Sequence, residues 1–262
     1  MFLPLGAMAQ QVASPWETYL ANAVSAGQQK NFGPAEQFIA LALKEAEHFN
    51  PNDPRLGSTC NTAGLIYLAD GKPKEAEPSF RRSLSVFEKA YGEKSLDVGN
   101  VDYNLADSLR RQSRYDAAEP VLKRTLDIYL AVLGKDSPKV AEVYFWLGDT
   151  QRRLNNYAAA ETNLKRAADM REVLNGMDST DLADALNSLA LLYSAQNKYG
   201  QAEPLFKLSL NVREAKYGLN NRDVLESLEN YAAMLRLAGR VRDAEKMISL
   251  AGAIRSALRS TK

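Results

Sequence analysis

Two matching charge sets, Asp107-x-x-Arg110-Arg111 and Asp149-x-x-Arg152-Arg153, lie 42 residues apart, with Tyr103 shortly before the first and Phe145-Trp146 before the second. A guanidinium grips a carboxylate with paired N–H donors, and a neighbouring ring supplies buried area, so such a set suits recognition of a carboxylate beside a large apolar group. The plainer reading is that each aspartate pairs with the arginines three and four residues on. Such pairs only decorate a helix and contribute about 0.2–0.5 kcal/mol each. Other chemistry lacks its residues. The 262-residue chain has one histidine, His48, and one cysteine, Cys60. No zinc-type ligand set or internal disulfide can be assembled from them. There is no Gly-rich phosphate loop and no Ser-His-Asp set. The expectation is a protein that is not an enzyme and carries no metal or cofactor.

The elements that position these sets follow from a period. The dipeptide Ala-Glu begins at residues 35, 76, 118, 160, 202 and 244, a spacing of 41 and then 42 throughout. Self-similarity at this spacing marks stacked supersecondary units. Gly92, Gly134, Gly176 and Gly218 keep the same beat and predict helix ends with a left-handed residue. Ser95, Ser137, Ser179 and Asn221 follow three residues later, with Asp53 as their counterpart, and all are N-cap residues. Pro54 and Pro138 suit the first helical position, and Ser14-Pro15-Trp16-Glu17 reads as a capping box. Within a unit, Leu105, Ala106 and Leu109 mark one helix; Tyr115, Ala118, Leu122 and Leu126 mark the next. Ala at the centre of the second helix permits close approach of its partner. Pro78, Pro120 and Pro204 read as lying near that helix's start, where a missing donor costs least. Six antiparallel helix pairs and no strands are expected.

These residues carry a resemblance. Leu105-Ala106 with Tyr115, Ala118 and Leu122, and Leu189-Ala190 with Tyr193, Tyr199, Ala202 and Phe206, match the tetratricopeptide repeat. The 42-residue period and Tyr199-Gly200-Gln201-Ala202-Glu203-Pro204-Leu205-Phe206 resemble its kinesin-light-chain type. The resemblance implies an all-α, right-handed α-solenoid over residues 14–262, in units of about 14–52, 53–94, 95–136, 137–178, 179–220 and 221–262, after a tail at 1–13. Against the common form of about 34 residues, each helix gains roughly one turn of about 5.4 Å.

The resemblance also implies that the first helix of each pair lines a concave groove. Carried onto this sequence, its groove positions include Asn61, Tyr103, Asn104, Asp107, Arg110, Arg111, Phe145, Trp146, Asp149, Arg152, Arg153, Asn187, Asn230 and Arg236. Asn61, Asn104, Asn187 and Asn230 are implied to hold the main chain of an extended peptide, since an amide both donates and accepts. The amide ladder is interrupted where Phe145-Trp146 stand in the fourth unit. The Lys and Asn set of chaperone-binding relatives is missing, so chaperone C-termini are not the expected ligand.

Composition limits the rest. With 33 basic and 32 acidic residues the net charge is +1, which argues against a nucleic-acid binder, since that needs a basic excess. No apolar stretch is long enough for a membrane span. Cys60 falls on a core-facing stripe and reads as a buried small hydrophobe; His48 reads as solvated near a helix C-terminus. Ala7-Met8-Ala9 resembles a secretory cleavage site and favours an exported protein, with a frayed apolar terminus on a cytoplasmic protein as the alternative. The final helix, near 242–259, carries Met247, Ile248, Leu250, Ile254 and Leu258 with no capping unit after it; most of these are expected to pack inward on their own pair, and the alternative is an edge at Ile254 and Leu258 left open for self-association through that end. The leading expectation is a scaffold whose groove takes a protein or peptide with acidic and large apolar side chains. The alternatives are a structural subunit docking through its ends and a single-stranded nucleic-acid binder.

Overall fold

The computed structural model describes residues 13–260; Ala7-Met8-Ala9 and the tail that holds it lie outside them. The described residues form twelve α-helices and no strand. The first helices of the pairs are α1 (Pro15–Gln28), α3 (Pro54–Ala69), α5 (Leu96–Arg111), α7 (Pro138–Arg153), α9 (Thr180–Ala195) and α11 (Arg222–Leu237). Their partners are α2 (Phe32–Ala46), α4 (Pro73–Tyr91), α6 (Tyr115–Leu133), α8 (Tyr157–Asn175), α10 (Tyr199–Tyr217) and α12 (Val241–Ser260). From α3 to α11 every first helix has 16 residues, and from α4 to α10 every second helix has 19.

The starts of the first helices are set by the caps. Asp53, Ser95, Ser179 and Asn221 each accept a backbone N–H in the first turn, from Arg55, Val98, Leu182 and Asp223. Ser14 closes the expected capping box with Glu17. Ser137 occupies the cap position without a side-chain bond, and Pro138 at the first helical position removes one donor that would need it. The turn inside each pair is also periodic. Lys30, Gly71, Ser113, Asn155, Asn197 and Gly239 all have positive φ, between 57° and 75°. The residue after each donates its N–H five residues back, as Arg114 does to the Leu109 carbonyl at 2.9 Å, closing a Schellman turn.

Two local expectations need correction. Gly92, Gly176 and Gly218 do have positive φ, but ψ lies at 156–172°, so they sit in the extended positive-φ region that only glycine enters readily. Pro78, Pro120 and Pro204 are not in the first turn; each is the sixth residue of its helix. All three are exposed, so the carbonyl that loses its intrahelical donor faces water, which limits the cost.

The helices gather into two compact units divided between Arg114 and Tyr115. In the first, α1 to α5 pack in chain order, and α1 and α5 each also touch α3. In the second, α6 to α12 pack in chain order, and α7 and α11 each also touch α9. First helices therefore form one layer of each unit and second helices the other. The first unit's core joins Ala23, Ala35, Ile39 and Ile66, with Cys60 buried beside Leu56 and Val86. Burial pushes the Cys60 thiol up to about 11, consistent with a small hydrophobe. In the second unit Leu164, Leu189, Phe206 and Leu235 anchor the core.

The last helix packs inward, as the first of its two readings expects. Ile254 is buried with Ala251 against Leu210, Val224 and Leu228, and Met247 and Leu258 pack on the same cluster. The alternative, an outward edge of Ile254 and Leu258, is thus set aside: both turn inward. Arg242, Ser249 and Ser256, seven residues apart on one stripe, are exposed, so α12 does carry a polar outer face. Ile248 and Leu250 stay exposed at its margins.

Small residues decide how closely the paired helices approach. A Cβ placed on Gly148 would lie 2.7 Å from the Leu164 side chain and 3.0 Å from its backbone nitrogen. Gly148→Ala is therefore expected to lower stability by about 1–3 kcal/mol through overpacking. Gly200→Ala, with nothing within 4 Å, should leave it unchanged or slightly raised. Equilibrium denaturant unfolding of both variants checks the contrast.

Candidate functional site

The position of the first-helix layer depends on the recurrent glutamate. Glu36 accepts from Lys72 Nζ at 2.6 Å and Glu77 from Arg114 Nη1 at 2.5 Å. In the second unit, Glu119 accepts from Gln151 Nε2 at 3.1 Å, Glu161 from Tyr193 Oη at 3.0 Å, and Glu203 from Tyr231 Oη at 2.8 Å. Glu203 also takes Arg240 Nη1 at 2.7 Å. Each of these glutamates thus reaches from a second helix to the following pair. Glu245 is exposed, and no helix pair follows it among the described residues. The carboxyls respond to these partners. At Glu77 burial pushes the carboxyl up, but hydrogen bonds from Arg81 and Gln112 and the Arg114 charge outweigh it and hold it below its ordinary 4.5. Hydrogen bonds from Lys123, Lys165 and Lys207 lead the lowering at Glu119, Glu161 and Glu203, against some desolvation. Burial raises the Tyr193 and Tyr231 phenols, which keeps them as donors.

On this frame the two Asp-x-x-Arg-Arg sets have the same internal division. In the first unit Arg110 Nη1 lies 3.5 Å from Asp107 and its side chain is only 11% exposed, while Arg111 Nε donates to Asp107 at 3.0 Å and is 52% exposed. In the second unit Arg152 donates to Asp149 at 2.6 Å and is 13% exposed; Arg153 lies 3.9 Å from the same carboxylate and is 51% exposed. The repeat pattern alone treats the four arginines as equivalent surface groups. The structure instead buries one of each pair and presents the other.

The aromatic and amide positions divide in the same way. Phe145 is buried in the second unit's core, with the Arg171 guanidinium 4.2 Å from its ring centre, and so faces no groove. Trp146 is half-buried and meets Phe145 edge-on at 4.6 Å between centroids. Tyr103, Asn61, Asn104 and Asn230 are half-buried, while Arg236 is exposed. Asn104 Nδ2 donates to Asn61 Oδ1 at 3.0 Å, so these two amides partly satisfy each other. Asn187 and Asp149 are buried, and the Asn187 Oδ1 has no partner among the described residues. Asn187 is therefore not the open amide that the resemblance implied.

Leu237 is a surface feature the sequence reading missed. It is 65% exposed and lies one residue beyond Arg236. Counting in steps of 42 from Arg153 through Ala195 reaches Leu237, so the period itself contained the signal. Among the described residues no group of three or more His, Cys, Asp or Glu could hold a metal ion, and no helix is long and apolar enough to cross a membrane.

Periodic helix pairs and glutamate bridges between successive pairs define a helical-repeat protein. The chain belongs to the tetratricopeptide repeat family: one tetratricopeptide repeat model matches residues 97–172 and 181–254, and a second matches 61–129. Among curated proteins, none matches it. The crystal structure of BtubC (BKLC) from P. vanneervenii is similar at a TM-score of 0.68 and 20% identity, over 94% of this chain and 93% of that one. A Podosopora anserina putative kinesin light chain with nearly identical TPR-like repeats gives 0.64 and 15%, over 79% and 97%. A Rap protein complexed with competence and sporulation factor gives 0.57 and 16%, over 95% and 77%. At these identities the structures share the fold.

The glutamate bridges imply an acid limit. A carboxyl held below its ordinary value contributes stability that is present above about pH 4.5 and is lost as pH falls through the lower folded-state value. Melting temperature should therefore be flat from neutrality to about pH 5 and fall below that. Glu203→Gln should melt lower at neutral pH and lose less on acidification, as thermal melts across pH would show.

Proposed function

We propose that the chain is a non-catalytic scaffold whose first-helix layer binds an extended protein segment carrying a carboxylate and a large apolar side chain. One observation supports this most directly. In the second unit, Arg153 on α7, Ala195 on α9 and Leu237 on α11 occupy equivalent positions of neighbouring first helices, and all three are exposed. They make a row that runs from a cation through a small residue to an apolar side chain. Adjacent helices stand about 8–10 Å apart, so the row is about 20 Å long. An extended segment of about six residues spans it at roughly 3.3 Å each.

Arg153 retains N–H donors for this role. Its aspartate is held closely by Arg152, and at 3.9 Å Arg153 makes only a loose ion pair. A ligand carboxylate can take its paired donors, with half-buried Trp146 two turns earlier on the same helix to add apolar area. In the first unit Arg111 and the amides of Asn61 and Asn104 offer polar contacts of the same kind. A Rap protein of this fold is complexed with competence and sporulation factor, which supports the class of function proposed here.

A random peptide library displayed against the full chain tests this. Enrichment of an acidic residue about six positions from a large apolar one is expected. Arg153→Glu should remove the acidic preference, and Leu237→Asp the apolar one, each weakening selected peptides by roughly tenfold or more. Both side chains are solvated, so stability should shift by no more than about 0.5 kcal/mol. Selected peptides that bind both variants as tightly as the native chain would exclude this row as the site.

A further inference from the structure

The C-terminal ends of α6, α8 and α10, all in the second unit, leave Val132, Val173, Leu174, Met177, Tyr217 and Leu219 open to water at one edge. Val173 is 86% exposed. The repeat does not require it, because the positions one period either side hold Ala131 and Ala215. A β-branched residue on a solvated helix face also has lower helix propensity than alanine. Val173 and Leu174, with Met170 beneath them, line an open hollow of about 340 Å³. Around it stand Lys135, Asp136, Arg166 and Asp169. None of these four takes part in an ion pair or side-chain hydrogen bond among the described residues. By contrast, Lys123, Lys165 and Lys207 on the same three helices are each paired with a glutamate.

We propose that this edge is the contact between two copies of the chain, related by a two-fold axis. An isologous interface must be its own complement, because the same patch supplies both sides. Two unpaired cations and two unpaired anions around one apolar centre meet that condition. A partner with a rim of single sign would leave two like charges facing each other. An axis through the hollow sets Arg166 of one copy against Asp136 of the other, and Asp169 against Lys135. Val173, Leu174 and Met177 of the two copies then cover one another. A stable interface needs about 800 Å² from each partner, more than these side chains supply. Val132 on one side, and Tyr217 and Leu219 on the other, continue the surface along the same edge.

Sedimentation velocity of the full chain over a micromolar concentration series tests the proposal. A monomer–dimer equilibrium is expected, and Val173→Glu should raise its dissociation constant by roughly tenfold or more. Circular dichroism and melting temperature of that variant should match the native chain, since the side chain is solvated. Arg166→Asp should weaken the dimer, and adding Asp136→Arg should restore it by reversing the pair. Arg153→Glu should leave the dimer intact, which separates this edge from the proposed peptide row. A monomer at every concentration, a dimer indifferent to Val173→Glu, or a charge reversal without restoration would overturn the proposal.

Discussion

The structure depends on what two adjacent residues do at the start of each second helix. The alanine of every Ala-Glu dipeptide, from Ala35 to Ala244, is completely buried. The glutamate that follows is turned about 100° around the helix and, wherever another pair succeeds it, reaches that pair. Alanine lets the paired helices come together; glutamate fixes where the following pair stacks. A single pair cannot bury its apolar stripe, so both steps are needed before the core is complete. Isolated surface ion pairs contribute little, typically about 0–1 kcal/mol, and burial of residues such as Phe80, Leu164 and Phe206 carries the stability. The glutamate's value is directional. Its donors vary from Lys72 to Gln151 to Tyr231, while the acceptor keeps its place.

The same angular arithmetic explains the divided charge sets. Arg110 and Arg111 are neighbours in sequence, and so about 100° apart on the helix. Asp107 can contact both, at three and four residues' distance, but packing covers only one. Arg152 and Arg153 repeat the outcome, as do Phe145 and Trp146, where one ring enters the core and the next lies half out. Pairing within a helix and presentation to a ligand are therefore compatible. In the second unit the buried arginine holds the aspartate closely, and its neighbour keeps donors free for another carboxylate.

This separates what could be read in the sequence from what could not. Asp53, Ser95, Ser179 and Asn221 were legible as helix starts because capping is local chemistry, decided by the side chain and the next three amides. The turns inside the pairs were less so, since Lys30 and Ser113 are unusual choices for positive φ, and only the bond closing the turn explains them. The burial of Asn187 was out of reach. Its exposure is set by neighbouring first helices, and Asn104, an amide on the same implied ladder, stays half-open beside Asn61. The polar stripe of α12 was present in Arg242, Ser249 and Ser256, yet the apolar residues between them dominated the reading.

Periodic and aperiodic residues consequently have different tasks. Whatever recurs every 42 positions answers to stacking: buried alanine, bridging glutamate, cap and turn. A residue that departs from its equivalents is released from that demand, and if it is large and solvated the fold gives no reason for it. Val173 stands between Ala131 and Ala215, and Leu237 follows Ala195 at the position Arg153 holds two repeats earlier. A single exposed apolar side chain is ordinary in a folded protein, so it is the grouping of Val173 with Leu174 and Met177 along one edge, more than its exposure alone, that sets it apart. The near-neutral total charge fits that division. It argues against a long-range field that would draw a polyanion.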